Sequence, residues 1–230
     1  MHNFLVGFID TLTDRLVTSQ HDLSAQLKNR ATIDTANYVE DRMSNAIILE
    51  STNELYEYSV KKASNQGLFM EFGVWHGDSI NTIAGLKPDN VIYGFDSFEG
   101  LPDKWSGTFH HEFSLTLDGN MPKVKNNVKL IKGWFDESLP NFLESNTDSV
   151  SFLHVDSDLY SSAKTILTLL KNRIKVGTVI IFNEYFNYPN WRNHEYKAFQ
   201  EFVKENNVKY DYICFSKKNM VTVIIRHIEQ

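Results

Sequence analysis

The stretch over residues 67–102, GLFMEFGVWHGDSINTIAGLKPDNVIYGFDSFEGLP, constrains the fold of this chain more than any other. Residues 68–72 are short, apolar and aromatic, the pattern of a buried strand. The turn Gly73-Val74-Trp75-His76-Gly77 follows. Its two glycines let the backbone bend sharply and let a ligand approach the main chain. Asp78 or Ser79 is placed to cap a helix whose free amide hydrogens face the same turn. A second strand over residues 91–95 then ends on Asp96. A carboxylate at that tip, about 20–25 residues beyond the glycine turn, is positioned to accept hydrogen bonds from ribose hydroxyls. This half-domain reads as a site for an adenosine-bearing ligand. The spacing is Gly-x-x-x-Gly, not Gly-x-Gly-x-x-Gly, so it serves a dinucleotide pyrophosphate less well.

The remaining pattern extends the same architecture. Apolar residues Phe4, Leu5, Phe8, Ile9, Leu12 and Leu16 recur at helical spacing near the N-terminus. Residues 20–32 are polar and read as looser chain, and a helical pattern resumes from Ile33 through Tyr38, Val39, Met43, Ala46 and Ile47. Ser51-Thr52-Asn53-Glu54 has the spacing of a capping box and starts another helix. Further strands are predicted over 128–131, 150–155 and 177–182, with helices over 135–143, 160–174 and 194–203 between and after them. Two β-rich runs, 210–215 and 220–225, flank Ser216-Lys217-Lys218-Asn219 as a hairpin. Strands alternating with helices predict an α/β, Rossmann-like, mostly parallel sheet with helices on both faces, an antiparallel C-terminal hairpin and an N-terminal helical extension. Residues 1–64 are expected to form that extension or cap, and residues 65–230 the globular unit. The stretch 103–127 lacks periodicity but carries Trp105, Phe109, His110, His111 and Phe113, and reads as a mobile lid.

Composition narrows the function classes. A net charge of −6 without a long basic run disfavours nucleic-acid binding. One cysteine, Cys214, permits no internal disulfide and suits a reducing cytoplasm. The N-terminus does not read as a signal peptide, and no apolar run reaches the roughly 20 residues of a membrane span.

In sheets of this kind ligands sit beyond the carboxyl ends of the strands. Trp75, Trp105, Trp134 and Trp191 all follow predicted strands, and Asp96, Asp156, Asp158, Asn183 and Glu184 sit at strand tips. That combination describes an aromatic-walled site with several oxygen donors. Asp156 and the Asn183-Glu184 pair follow neighbouring strands, and their oxygens suit a hard cation such as Mg²⁺. The alternative is that Asp156 caps the next helix and Glu184 hydrogen-bonds a loop. His154 is expected in the core. His194 and Glu195 open a helix beside Trp191, either as pocket residues or as plain helix-start residues.

EFGVWHGDSI, YGFDSFEGLP, IKGWFDESLP, LHVDSDLYSSAKTIL and TVIIFNEYFNYPNW together resemble the macrocin O-methyltransferase family of class I S-adenosylmethionine-dependent methyltransferases, over residues 67–205. The resemblance implies a seven-stranded sheet. It also implies that Glu71, Gly73 and Gly77, with Val74, Trp75 and Ser79, wrap the methionine part of S-adenosyl-L-methionine. By the same resemblance Asp96 holds the ribose beside Ser97 and Phe98, Gly133 and Trp134 border the adenine, and Asp156 also meets the cofactor. Family members methylate hydroxyls, often on sugars, and several use Mg²⁺. The corresponding ligands here are Asp156, Asn183 and Glu184. Asn183 departs from the acidic pair, and Leu159 stands where related enzymes place a His or Lys. The proton acceptor is then Asp156, Asp158, His194 or a lid histidine. The expected function is O-methylation of a sugar or other polyhydroxylated small molecule. The alternatives are a catalytically impaired S-adenosylmethionine-binding protein and a nicotinamide-dependent oxidoreductase. A homo-oligomer through the N-terminal helices is also expected.

Overall fold

The computed structural model describes residues 22–229. The N-terminal helical pattern over residues 3–19, and the contact expected from it, lie outside those residues. Helix α1 (Leu23–Arg42) is capped by Asp22, whose Oδ1 accepts from Ser24 N at 2.9 Å and Ala25 N at 3.3 Å. The helix therefore starts earlier than the polar sequence predicts. Only Ala31, Thr35 and Tyr38 are buried, one residue per turn, so its apolar stripe is too narrow to register as periodicity. It also stops at Arg42, whereas the sequence pattern carried it to Ile47. Residues Ile47–Leu49 instead form β1. Helix α2 (Thr52–Lys62) starts with the expected capping box, in which Ser51 and Glu54 satisfy each other's backbone amides.

The chain then runs β2 (Leu68–Phe72), α3 (Asp78–Leu86), β3 (Ile92–Asp96), β4 (Val128–Lys132), α4 (Phe135–Ser145), β5 (Val150–Val155), α5 (Tyr160–Leu170), β6 (Ile174–Phe182), a 3₁₀ turn (Trp191–Asn193), α6 (Glu195–Glu205), β7 (Lys209–Ser216) and β8 (Val221–His227). The sheet order is β1-β7-β8-β6-β5-β2-β3-β4. Pairing is parallel throughout except at β8, which is antiparallel to both β6 and β7. The sheet has eight strands, not the seven implied by the resemblance. The extra one is β1, in parallel register with Cys214–Ser216 at the sheet edge. Ile47 fits both a helical and an extended reading, and only the β7 partner decides between them.

Strands β2 and β5 are buried along their whole length, which explains their unalternating sequences. Phe72 stacks on Phe95 at 4.7 Å in one core layer, and Phe69 on Phe152 at 5.7 Å in the other. Ile174, predicted at the end of a helix, starts β6 and pairs with Val150. Helix α1 braces the loop after β6: Asn187 N donates to Thr35 Oγ1 at 2.9 Å, and Arg192 makes two bonds of 2.9 Å to Asp34. The described residues contain no helix long and apolar enough to cross a membrane.

Candidate functional site

The glycine turn is pressed against the tip of β5. Gly73 has φ +90°, and a Cβ there would lie 1.8 Å from the Asp156 carbonyl oxygen. Gly73 N donates to Phe95 O at 3.0 Å and Asp156 N to Phe72 O at 2.8 Å, so the tips of β2, β3 and β5 are laced together. Asp96 completes the lacing. Its Oδ2 accepts from Val74 N at 2.7 Å and Trp75 N at 2.8 Å, and its Oδ1 from Phe98 N at 2.6 Å. An ionised carboxylate offers about four acceptor sites, so roughly one remains on Oδ1 for a ligand hydroxyl.

Neither Asp78 nor Ser79 caps α3. The N-cap is Gly77, in the left-handed region at φ +86°, and no side chain takes up the first amides of the helix. Ser79 Oγ turns instead to Glu71 Oε1 at 2.8 Å. Glu71 is fully buried, and its Oε2 meets His154 Nδ1 at 3.0 Å across the β2–β5 register. Burial works against a charged His154 ring, but the hydrogen bond and charge of Glu71 outweigh it and hold His154 above its usual value. Glu71 therefore holds the base of the turn from below and does not face the cavity.

Two cavities open on this rim. The larger, of about 340 Å³, has Gly73, Asp96, Ser97, Trp134, Asp156 and Asp158 in its lining. The smaller, of about 270 Å³, has Tyr56, Val74, Trp75, Ser79 and Asp156. Asp156 lines both. The excursion after β3 roofs the larger one through Leu101, Pro102 and Leu115. It is tied back by Leu101 N to Ser114 O at 3.0 Å and Gly119 N to Phe98 O at 2.8 Å. Trp105 is buried in a small cluster with Leu101 and Leu159.

The tips of β5 and β6 gather buried carboxyl groups. Burial, with the charges of Glu71 and Asp96, pushes the Asp156 carboxyl up to about 6 against the opposing pull of His154 and Asn183. Burial and Asp156 push Glu184 up to about 7, although a hydrogen bond from Asn219 opposes this. Asp158 and Glu195 lie well above the usual carboxylate range, through burial first and then their acidic neighbours. Asn183 stands beside two of these acids: it donates to Glu184 Oε1 at 3.4 Å and lies close enough to Asp156 to oppose the upward shift of its carboxyl. Two crowded carboxylates and an amide oxygen are a donor set that fits a hard divalent cation. Among the described residues no three His, Cys, Asp or Glu side chains form a metal cluster, so the amide would have to serve as third donor.

Several expected residues lie elsewhere. Gly77 and Gly133 line neither cavity, and Phe98 is a core residue whose amide holds Asp96. Asn183 and Glu184 sit beside the cavities and not in their walls. His194 Nε2 donates to Ser106 O at 2.9 Å and so fastens the excursion after β3 to the loop before α6. Its other ring nitrogen is buried without a partner. Trp191 packs under Arg192, with the guanidinium 4.2 Å from its ring centroid, and lines neither cavity. Residues the sequence did not single out, Ser157, Ser161, Ser162 and Thr165, line the larger cavity at the start of α5. A Ser-rich helix start after a strand tip is the signal that could have found them.

The family model for Macrocin-O-methyltransferase (TylF) matches residues 49–218. The chain belongs to this family. Among curated relatives, demethyldecarbamoylnovobiocin O-methyltransferase of Streptomyces niveus is 27% identical over 156 residues, covering 57% of this chain and 58% of the relative. The 8-demethyl-8-(2,3-dimethoxy-alpha-L-rhamnosyl)-tetracenomycin-C 4'-O-methyltransferase of Streptomyces olivaceus is 26% identical over 141 residues, covering 52% and 53%. The chain thus spans just over half the length of the curated relatives it matches. Among solved structures, the calicheamicin methyltransferase CalS11 superposes with a TM-score of 0.60 at 21% identity, covering 75% of this chain and 77% of that one. This macrocin O-methyltransferase family member therefore shares the fold of that methyltransferase.

Proposed function

We propose that this protein is an S-adenosyl-L-methionine-dependent O-methyltransferase acting on a hydroxyl of a sugar or similar polyhydroxylated molecule. The observation that carries the reading is that Gly73, Asp96, Trp134 and Asp156, distant in sequence, line one cavity, and that Asp156 also lines the cavity beside the glycine turn. Family membership and the printed activities of the relatives, one of them named for a rhamnosyl compound, support it. The Gly-x-x-x-Gly turn and the family match both speak against a nicotinamide enzyme.

In this reading Asp96 accepts one ribose hydroxyl on its remaining lone pair, and Trp134 borders the adenine. The uncapped amides that open α3 receive the methionine carboxylate. Methyl transfer from a sulfonium is an in-line displacement that needs alignment more than covalent help. Asp156, between the two cavities, sits where the acceptor hydroxyl would meet the methyl group. Asp158 lines the same cavity beside Asp156 and, in its ionised form, takes the hydroxyl proton. His194, with Nε2 donated to Ser106, is assigned to holding the excursion after β3. A divalent cation held by Asp156, Asn183 and Glu184 would supply Lewis acidity toward the acceptor oxygen.

The test is methyl transfer from labelled S-adenosylmethionine to a panel of glycosides and nucleotide sugars, alongside calorimetry with S-adenosylhomocysteine and NAD. Asp156→Ala should abolish turnover while leaving S-adenosylhomocysteine affinity within about five-fold, the split expected when a group acts mainly in the transition state. Wild-type turnover in that variant would sink the assignment.

The amide of Asn183 at a candidate donor position, where it supplies no charge and donates to Glu184, favours one second reading, a cofactor-binding protein without catalysis. Turnover of any panel member removes it. Activity gained by Asn183→Asp in Mg²⁺ would support it.

A further inference from the structure

Glu195 is fully buried at the first position of α6, yet it lines neither cavity. A carboxylate taken out of water is costly unless it is hydrogen-bonded. Its two oxygens diverge: Oε1 accepts from Ser157 N at 3.2 Å and Oε2 from Glu184 N at 3.0 Å. Ser157 follows Asp156, and Glu184 follows Asn183. Each bond therefore fixes the main chain at or next to a candidate oxygen donor, on two different strands.

The sheet itself does not do this. The last registered pair of β5 and β6 is Val155 with Phe182, and the final bond across is Asn183 N to Val155 O at 2.9 Å. Beyond that point the two tips leave the ladder. Glu195 continues the connection from a third element, and Ala198, Phe199 and Phe202 hold that element in the core.

We propose that Glu195 is a positioning residue that spans the tips of β5 and β6 and keeps Asp156, Asn183 and Glu184 in register to receive a divalent cation. The inference rests on the cation reading above. A plain helix-start acid would interact with its own helix and leave the Ser157 amide alone.

The experiment uses the full chain as wild type, Glu195→Gln and Glu195→Ala. Three quantities are read: amide hydrogen exchange at Ser157 and Glu184 without metal, the MgCl₂ concentration dependence of the thermal midpoint, and S-adenosylhomocysteine affinity by calorimetry. Glutamine keeps the volume but has one acceptor oxygen, and alanine has none. Exchange at the two amides should accelerate, more in Glu195→Ala than in Glu195→Gln. Apparent Mg²⁺ affinity should fall about 10–100-fold, the range for partners that orient metal ligands. S-adenosylhomocysteine affinity should stay within about three-fold, because Glu195 lies outside the cofactor cavity. Should Glu195→Ala not fold, Glu195→Gln decides. Unchanged exchange at both amides overturns the proposal, as does unchanged Mg²⁺ affinity with accelerated exchange. Absence of any Mg²⁺ response in the wild type overturns the cation reading and, with it, the purpose assigned here; accelerated exchange in that case would still mark Glu195 as the tie between the tips.

Discussion

Asp96 and Asp156 occupy equivalent places, each at the carboxyl end of a parallel strand facing the same cavity. Their surroundings are opposite. Asp96 is met by three backbone amides, from Val74, Trp75 and Phe98, and by its charge it holds the glycine turn closed. Asp156 is crowded by Glu71, Asp158, Glu184 and Glu195, and its neutral form is favoured up to about pH 6. One rim of the site is electrostatically complete within the protein. The other crowds more carboxyl groups together than can all ionise, a condition a cation would relieve.

The contrast can be broken in order of effect. The largest should come from Gly73→Ala, which forces a side chain into a positive φ and onto the Asp156 carbonyl. Strain and overpacking together should cost about 4 kcal/mol, read by denaturant unfolding. Asp96→Asn should remove charge-assisted bonds to the turn and lower stability by about 2 kcal/mol in the same measurement. It should also weaken S-adenosylhomocysteine binding. Asp156→Asn should do the reverse in EDTA: relief of repulsion should raise stability by about 1 kcal/mol, and the variant should lose the Mg²⁺-dependent rise in midpoint. Equal signs for the Asp96 and Asp156 variants would erase the contrast.

The smallest effect concerns His194. Burial holds its ring below the usual value. Between that lowered value and about 6.5 the unfolded chain binds the proton and the folded chain does not, so stability falls as pH drops through this window. His194→Gln should flatten the pH slope there by less than about 1 kcal/mol, read from thermal midpoints at pH 5 to 7.

The glycine-turn half of this site was legible as a fold because its logic is local. A buried strand, a glycine turn, a helix and a strand-tip acid lie within residues 67–102, and the structure keeps that order. The acidic half was legible only as residue types at strand tips. Which of them meet depends on α6 folding back over β5 and β6, and the sequence read Glu195 as no more than a helix-start or pocket residue. The same limit explains β1. Ile47-Ile48-Leu49 continues a helical period as readily as it makes a strand, and its partner lies more than 160 residues away, at Cys214–Ser216. His194 was left open for a related reason: a histidine at a helix start reads either as a pocket residue or as a plain helix-start residue, and its bond to Ser106 is visible only in three dimensions.

Strand β1 also bears on how the chain could be shortened. Its three residues cover the outer hydrogen-bonding groups of β7, although Ile47 and Ile48 remain exposed themselves. A truncation at residue 64, at the apparent edge of the methyltransferase sheet, would bare that side of β7 and invite strand-to-strand self-association. The helical extension is thus joined to the sheet by the segment that covers the outer edge of the C-terminal hairpin.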